Sequence, residues 1–546
     1  MTPGQLLTNI AVAVINLSTA PLASAAGESA GFWYRDGQQA LREAVRLRAN
    51  SGQARNVILF IGDGMGVATV TAARILEGQL AGADGERNRL AFEELPYLAL
   101  SKTYSANQQT PDSAPTMTAM MAGIKTNDGV LGLGPGVRRG ETDAAIVAAH
   151  RVPSLLEMAE QRGLATGIIS TARITHATPA ATYAHTPERD WERDTQLPPG
   201  TAIPDIAAQL IDNFGPGAIG DGIEVVLGGG RREFLPDTRI DPEDRDAQGR
   251  RGDGRDLTEE FTTRFDGEFV WNQAGFDAFD PASGKRLLGL FEPSHMEYEH
   301  DRATDSGGEP SLAEMTEKAI HILRRNPRGF FLMVEAGRID HGHHAGNAYR
   351  ALTDTIALSD AVRRARALTD AGETLIVVSA DHSHVFTIAG YPRRGNPILG
   401  KVVRPDRQAP DYALAADGRP YTTLSYANGR GVQIEIPGDA VYERSPAAGR
   451  KLDLTQIDTT HPDFHQEALV PLDAETHAGE DVAIYASGPR AHLFHGVQEQ
   501  HYIFHVMRFA LGLCAADAPP ATATAGAFDD CPPSTARPGE PGEAPR

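Results

Sequence analysis

The chain has 546 residues, 41% hydrophobic and 23% charged, which is the composition of a soluble globular protein with length for a large α/β core or two domains. Its formal charge of −21 argues against nucleic acid or an anionic membrane as the main partner, and any anionic substrate would need local positive charge at its site. Cys514 and Cys531 are the only cysteines, so there is no disulfide framework; one bridge closing the last loop of an exported protein, or two idle thiols, both fit.

Taken in chain order, residues 1–25 are mildly apolar and end at Ala23-Ser24-Ala25, an A-x-A pattern that reads as an export signal, although a basic start is missing. "NVILFIGDG" (56–64) is a buried strand ending in Asp63. In "TPDSAPTMTAMMAGIKT" (110–126), Ser113 precedes Met117, Met120, Met121 and Ile124 at helical spacing. Taken alone, Ser113 reads as the N-cap of that helix. Further strands are expected in 165–179, 223–231, 329–344 and 374–384, with helices over 152–163, 311–326 and 349–372. Apolar runs alternating with helices predict an α/β fold with a mostly parallel sheet covered on both faces. Residues 235–270 and about 392–470, rich in Pro, Gly, Asp and Arg, read as insertions, and the Ala/Pro/Thr-rich stretch from 515 as a disordered tail.

Ligands of open α/β sheets bind beyond the carboxyl ends of the strands. Four such ends carry Asp63; His176 and Thr178; Glu335, Asp340 and His344; and Asp381 and His382, with His384 close behind. A single histidine here is most simply solvated, but three strand ends bearing carboxylates with several imidazoles point to metal. Mixed oxygen and imidazole donors suit zinc, and oxygen donors suit magnesium. Two divalent ions about 4 Å apart stabilise both the attacking and the leaving oxygen of an in-line phosphoryl displacement. A serine at a helix N-terminus beside them is then cap and nucleophile together. Arg189, in "HTPERDW", is either a bidentate phosphate clamp or a surface ion pair with Glu188 or Asp190.

"ILFIGDGMGVATVTAARIL", "PDSAPTMTAMMAGIK", "THATPAATYAHT", "EAGRIDHGHH", "SADHSHVF" and "ETHAGEDVAIYASGPRAHLFHGVQEQ" resemble, in order, segments of the metal-dependent alkaline phosphatases, closest to the animal-type branch. The resemblance runs from about residue 31 to 514 within a phosphatase domain spanning 26–514. It implies a first zinc on Asp340, His344 and His477, and a second on Asp63, Asp381 and His382. It also implies magnesium on Asp63, Thr178 and Glu335, phosphate on Arg189, and a phosphoserine on Ser113. His176 and His341 fill positions in the animal-type manner. A calcium site in the region 235–310 is implied on Glu243, the Phe291 carbonyl, Glu292 and Glu309. The cysteines of the family's internal bridge are missing, while Cys514 and Cys531 resemble its C-terminal pair. Residues 392–470 correspond to the family's crown, and "GFWYRDGQQALREAVRL" (31–47) resembles a helix that embraces a partner subunit, implying a homodimer. The ending "RPGEPGEAPR" gives no lipid-anchor tail, so a periplasmic or secreted enzyme acting on phosphate monoesters and releasing inorganic phosphate is expected. The competing readings are a phosphodiesterase or sulfatase-like hydrolase on the same fold, and an exported metal-binding protein without turnover.

Overall fold

The computed structural model describes residues 28–513. The expected export signal, the tail from 515 and the Cys514–Cys531 pair lie outside the described residues.

Ten strands make the central sheet: β1 (Asn56–Gly62), β2 (Tyr97–Lys102), β3 (Ala165–Arg173), β4 (Val225–Gly229), β5 (Gly267–Val270), β6 (Arg286–Leu290), β7 (Phe330–Ala336), β8 (Thr374–Ala380), β9 (Val482–Ser487) and β10 (Val497–Glu499). Their order is β10-β2-β9-β8-β1-β7-β3-β4-β6-β5, and β9 alone runs antiparallel to its neighbours. The helices that matter for the site and its support are α1 (Ala30–Arg46), α2 (Val67–Leu80), α3 (Ser113–Ala122), α4 (Leu312–Leu323), α5 (Arg338–His344), α6 (Ala348–Leu368) and α7 (Tyr502–Ala510).

The alternation of side chains along β1 explains the layering. Val57, Leu59 and Ile61 pack on one face with Met117, Met120 and Met121 of α3 and Met507 of α7. Ile58 and Phe60 point to the other face, against Met315 and Ile320 of α4 and Leu352 and Leu358 of α6. Both faces are covered, so the central parallel strands read as unbroken apolar runs. Each such side chain contributes about 1.5–3 kcal/mol on leaving water.

The expected helices over 311–326 and 349–372 are α4 and α6, and the one over 152–163 is Leu155–Gln161. Two start with capping boxes, Ser154 with Glu157 and Ser311 with Glu314, in which serine and glutamate satisfy each other's backbone donors. Residues 235–270 are not a separate insertion. They include a helix, Leu257–Phe265, and β5, which pairs with β6 at the sheet's edge. Within 392–470, Leu424–Gly429 and Ala468–Pro471 build a three-stranded sheet with Phe386–Ile388. No helix among the described residues is long and apolar enough to cross a membrane.

Candidate metal centre and nucleophile

β8, β1, β7 and β3 are adjacent in the sheet and parallel, so their carboxyl ends open on one rim. Asp63 follows β1, Glu335 lies near the end of β7, Asp381 and His382 follow β8, and His176 and Thr178 follow β3. α5 begins just beyond β7 and places Asp340 and His344 one turn apart. His477 comes from far along the chain, in a two-residue antiparallel bridge to His384. The rim gathers all ten residues expected at the zinc, magnesium and histidine positions.

They fall into three groups whose ligand atoms lie within 4.8 Å of one another: Asp340, His344, His384 and His477; Asp63, Asp381 and His382; and Asp63, His176 and Glu335. In the first group, His344 Nδ1 donates to the Glu475 carbonyl at 2.6 Å and His477 Nδ1 to the Pro111 carbonyl at 2.8 Å. A carbonyl only accepts, so Nδ1 donates in both rings and Nε2 is the nitrogen turned inward. The two Nε2 atoms stand 3.1 Å apart, with Asp340 Oδ1 3.2 and 3.3 Å from them. Two imidazole nitrogens and a carboxylate converging in this way fit a cation at their centre. In the second group, His382 Nε2 lies 3.4 Å from Asp63 Oδ1 and 3.2 Å from Asp381 Oδ2.

The buried polar atoms carry the same message. Asp63 Oδ2, Asp381 Oδ2, Glu335 Oε1, Thr178 Oγ1 and His176 Nδ1 are buried and find no hydrogen-bond partner among the described residues. Unpaired buried oxygens cost several kcal/mol each, and these sit where the second and third groups converge. Burial, then Asp381, Asp340 and Glu335, hold the Asp63 carboxyl well above the usual carboxylate range. Burial pushes Glu335 up to about 7. Asp340 goes the other way: burial opposes it, but His344, His384 and His477 hold its carboxyl low. The donor set therefore fits metal ions: oxygen and imidazole for zinc in the first two groups, and the oxygens of Asp63, Thr178 and Glu335 for magnesium beside them.

Ser113 differs from its sequence reading. Asp112 is the N-cap residue of α3, and Ser113 is the first helical residue. Ser113 is 2% exposed, and its Oγ lies 3.2 Å from His382 Nε2 and 3.5 Å from Asp63 Oδ1. It thus stands in the second group, at the positive end of the helix dipole. Arg189 is not the ion pair of Glu188 or Asp190, because Arg139 takes both of those carboxylates. Arg189 instead donates from Nη1 to Asp112 Oδ2 at 3.1 Å, while Nη2 contacts His176 Nε2 at 3.0 Å. The guanidinium is thereby fixed beside Ser113. His341 packs edge-on against His176 and His295, at centroid distances of 5.7 and 4.2 Å, and its Nδ1 lies 3.0 Å from Arg338 Nη1.

The expected calcium ligands lie away from this rim. Glu243 and Glu292 come together with Asp305, a residue not among the expected ligands. Glu309 Oε1 accepts from the Glu297 N–H at 3.1 Å. Its Oε2 is buried without a partner among the described residues, and burial with Glu292 and Asp305 holds its carboxyl well above the usual range. Arg231 donates to the Phe291 carbonyl at 2.9 Å and to Glu243 Oε2 at 2.8 Å. Sequence reasoning also missed Asp112 and Glu475. The acid beside Ser113 and the "ETH" of "AETHAGED" were the available signals.

Comparison with known proteins agrees with the geometry. Residues 54–513 match the family described as alkaline phosphatase. The tissue-nonspecific alkaline phosphatase of Felis catus is 44% identical over 490 residues, 88% of this chain and 88% of that protein. The Homo sapiens tissue-nonspecific isozyme is 42% identical over 501 residues, covering 89% and 90%, and the alkaline phosphatase of Gadus morhua is 41% identical, covering 88% and 96%. In fold, the chain is similar to the Thermus thermophilus alkaline phosphatase, with a TM-score of 0.61 and 24% identity over 86% of this chain and 93% of that one. A similar likeness holds to the enzyme of the Antarctic bacterium TAB5, at 0.56 and 21% over 85% and 99%. With nearly its whole described length matched and relatives more than 40% identical over most of both chains, the chain belongs to the alkaline phosphatase family.

Proposed function

We propose that this alkaline phosphatase hydrolyses phosphate monoesters through a phosphoserine on Ser113, at a site for two zinc ions and one magnesium. The reading is carried by the position of Ser113 Oγ, 3.2 Å from His382 Nε2, at a helix N-terminus facing three ligand groups. Asp340, His344 and His477 would hold the first zinc, Asp63, Asp381 and His382 the second, and Asp63, Thr178 and Glu335 the magnesium, with His176 beside it. When bound, these ions supply Lewis-acid stabilisation of the oxygens that carry negative charge during the displacement.

The chain's own residues perform the rest. Ser113 Oγ gives up its proton to solvent and attacks phosphorus. The Oγ–P bond forms, the P–O bond to the alcohol breaks, and the departing oxygen takes a proton from water. Arg189, aimed by Asp112, holds two phosphate oxygens through its fork of N–H donors. The N-terminus of α3 adds a partial positive charge where those oxygens lie. A water molecule then attacks the phosphoserine from the side the alcohol left, the Oγ–P bond breaks, and inorganic phosphate departs as Ser113 recovers a proton.

The same reading gives calcium to Glu243, the Phe291 carbonyl, Glu292, Asp305 and Glu309, supported by the convergence of Glu243, Glu292 and Asp305 and by the unpaired buried oxygens Asp305 Oδ2 and Glu309 Oε2. It also gives a homodimer of an exported protein. Support for the dimer comes from α1, whose Trp33, Leu41 and Val45 are 46%, 65% and 67% exposed, and from Tyr391, 91% exposed at a φ of 57°. Metal analysis of purified protein, with p-nitrophenyl phosphate turnover before and after chelation, tests the reading. Two zinc per chain and turnover abolished by chelation support it. Turnover that survives complete removal of metal refutes it, and faster hydrolysis of bis-p-nitrophenyl phosphate or p-nitrophenyl sulfate would favour the diesterase or sulfatase alternatives.

A further inference from the structure

We propose that Glu475 is a positioning residue that orients the ligands of the Asp340–His344–His477 group. The inference rests on the reading above, that this group holds a metal ion. Glu475 is 1% exposed in the polar segment "DAETHAGED", and every polar atom it has is engaged around that group. Its Oε2 accepts from His384 Nδ1 at 2.5 Å, and its Oε1 accepts from the Val385 N–H at 2.8 Å. Its carbonyl accepts from His344 Nδ1 at 2.6 Å, and its N–H donates to the His344 carbonyl at 3.0 Å. Two residues on, His477 pairs with His384.

His384 completes the link. Its Nε2 faces Asp340 Oδ1 at 2.8 Å, so one ring nitrogen is turned to Glu475 and the other to Asp340. His384 thus links Glu475 to the carboxylate of the group. The backbone is cut to admit this link. A Cβ on Gly64, at a φ of +67°, would stand 2.3 Å from His384 Nε2, and one on Gly429, at +128°, only 3.0 Å from the Glu475 Cβ. Both glycines occupy conformations L side chains avoid. One residue thus aims Asp340 through His384, sets the Nε2 of His344 inward through its carbonyl, and places His477 by chain connectivity. Groups that orient metal ligands in this way control metal affinity.

A purely structural ion pair would make a different prediction, because it would hold the fold and leave the metal indifferent. The test uses the full-length protein, with E475Q keeping shape and one acceptor, and E475A removing the side chain. Zinc retention is followed against a graded chelator, with turnover and the unfolding midpoint of the metal-free protein. One zinc equivalent should be held about 10-fold more weakly in E475Q and up to about 100-fold in E475A. The other should stay as in wild type, and added zinc should move E475Q turnover back toward wild type. The proposal is overturned if both variants keep both zinc ions with wild-type resistance. It is equally overturned if both ions leave together and the metal-free midpoint falls by as much as the metal-loaded one. Wild-type protein that holds no zinc would instead overturn the metal reading beneath it.

Discussion

Replacing Arg189 by alanine isolates what the fixed guanidinium does. Arg189 donates from Nη1 to Asp112 at 3.1 Å and lies against His176 through Nη2 at 3.0 Å, and its remaining N–H donors are the ones the proposed reading assigns to two phosphate oxygens. Hydrogen bonds to charged groups are worth about 1.5–3 kcal/mol each, so losing two removes about 3–6 kcal/mol, or about 10²–10⁴ in kcat/KM. The loss has a second source. Asp112 would keep only a long 3.4 Å bond from the Gly129 N–H, and its uncompensated carboxylate would repel the incoming phosphate. R189A combined with D112N should therefore recover part of the loss, a non-additivity expected of directly contacting residues. R189K, which keeps the charge without the fork, should lose about 10-fold. The assay is kcat/KM for p-nitrophenyl phosphate with the inhibition constant of inorganic phosphate, on protein of unchanged metal content. An R189A enzyme within threefold of wild type on both measures would refute the clamp.

Other consequences reach beyond the nucleophile. Burial and Glu160 push the Glu224 carboxyl up to about 8, and burial pushes Glu160 up to about 7. The folded chain thus keeps protons that the unfolded chain releases near 4.5, and stability falls as pH rises from about 5 to 8. E224Q should remove much of that slope, gaining about 2 kcal/mol over wild type at pH 8.5 and almost nothing at pH 5, as read from urea midpoints; parallel curves would contradict this. Gly123 closes α3 at a φ of 72°, and a Cβ there would stand 2.4 Å from Phe504 Cδ1. G123A should therefore cost more than the roughly 1–2 kcal/mol of the left-handed conformation alone and lower activity by shifting the helix that carries Ser113. M120A, at a fully buried position, should cost about 2–5 kcal/mol by denaturant unfolding. Calcium added to metal-stripped protein should raise the melting temperature through Glu243, Glu292 and Asp305, as any ligand of the native state does, and E292Q should abolish that increment.

The centre of the fold was legible because β1, β3, β7 and β8 are continuous apolar runs, the pattern that burial on both faces demands. The sheet's margins were not. In β2, Leu98 and Leu100 face outward at 57% and 36% exposure, so no buried run stands out. β5 and β10 have only four and three residues, and β9 runs against the direction that alternating helices imply. In the site, Asp63, Glu335, Asp381 and His382 could be found from their places at strand ends. His477 could not, because a bridge to His384 brings it in, and only the family resemblance pointed there. Ser113 was misread as a cap because an equally good cap residue, Asp112, stands immediately before it. That shift of one position moves the hydroxyl from the helix's backbone donors to the ligand group. Arg189 was ambiguous for a similar reason: its neighbours in sequence are acids, yet they pair with Arg139. Asp305 was not among the expected calcium ligands, because Ser306-Gly307-Gly308 leaves the register of that loop open.

The central claim is that Ser113, and no other hydroxyl, becomes covalently phosphorylated when the rim holds its metal ions. Acid-quenched protein incubated with radiolabelled phosphate, digested and sequenced, tests it most directly. The label should fall on the peptide spanning residues 110–126, at Ser113, in metal-loaded wild type, and be absent after chelation and in S113A. Label at another residue, or undiminished label in S113A, would contradict the account.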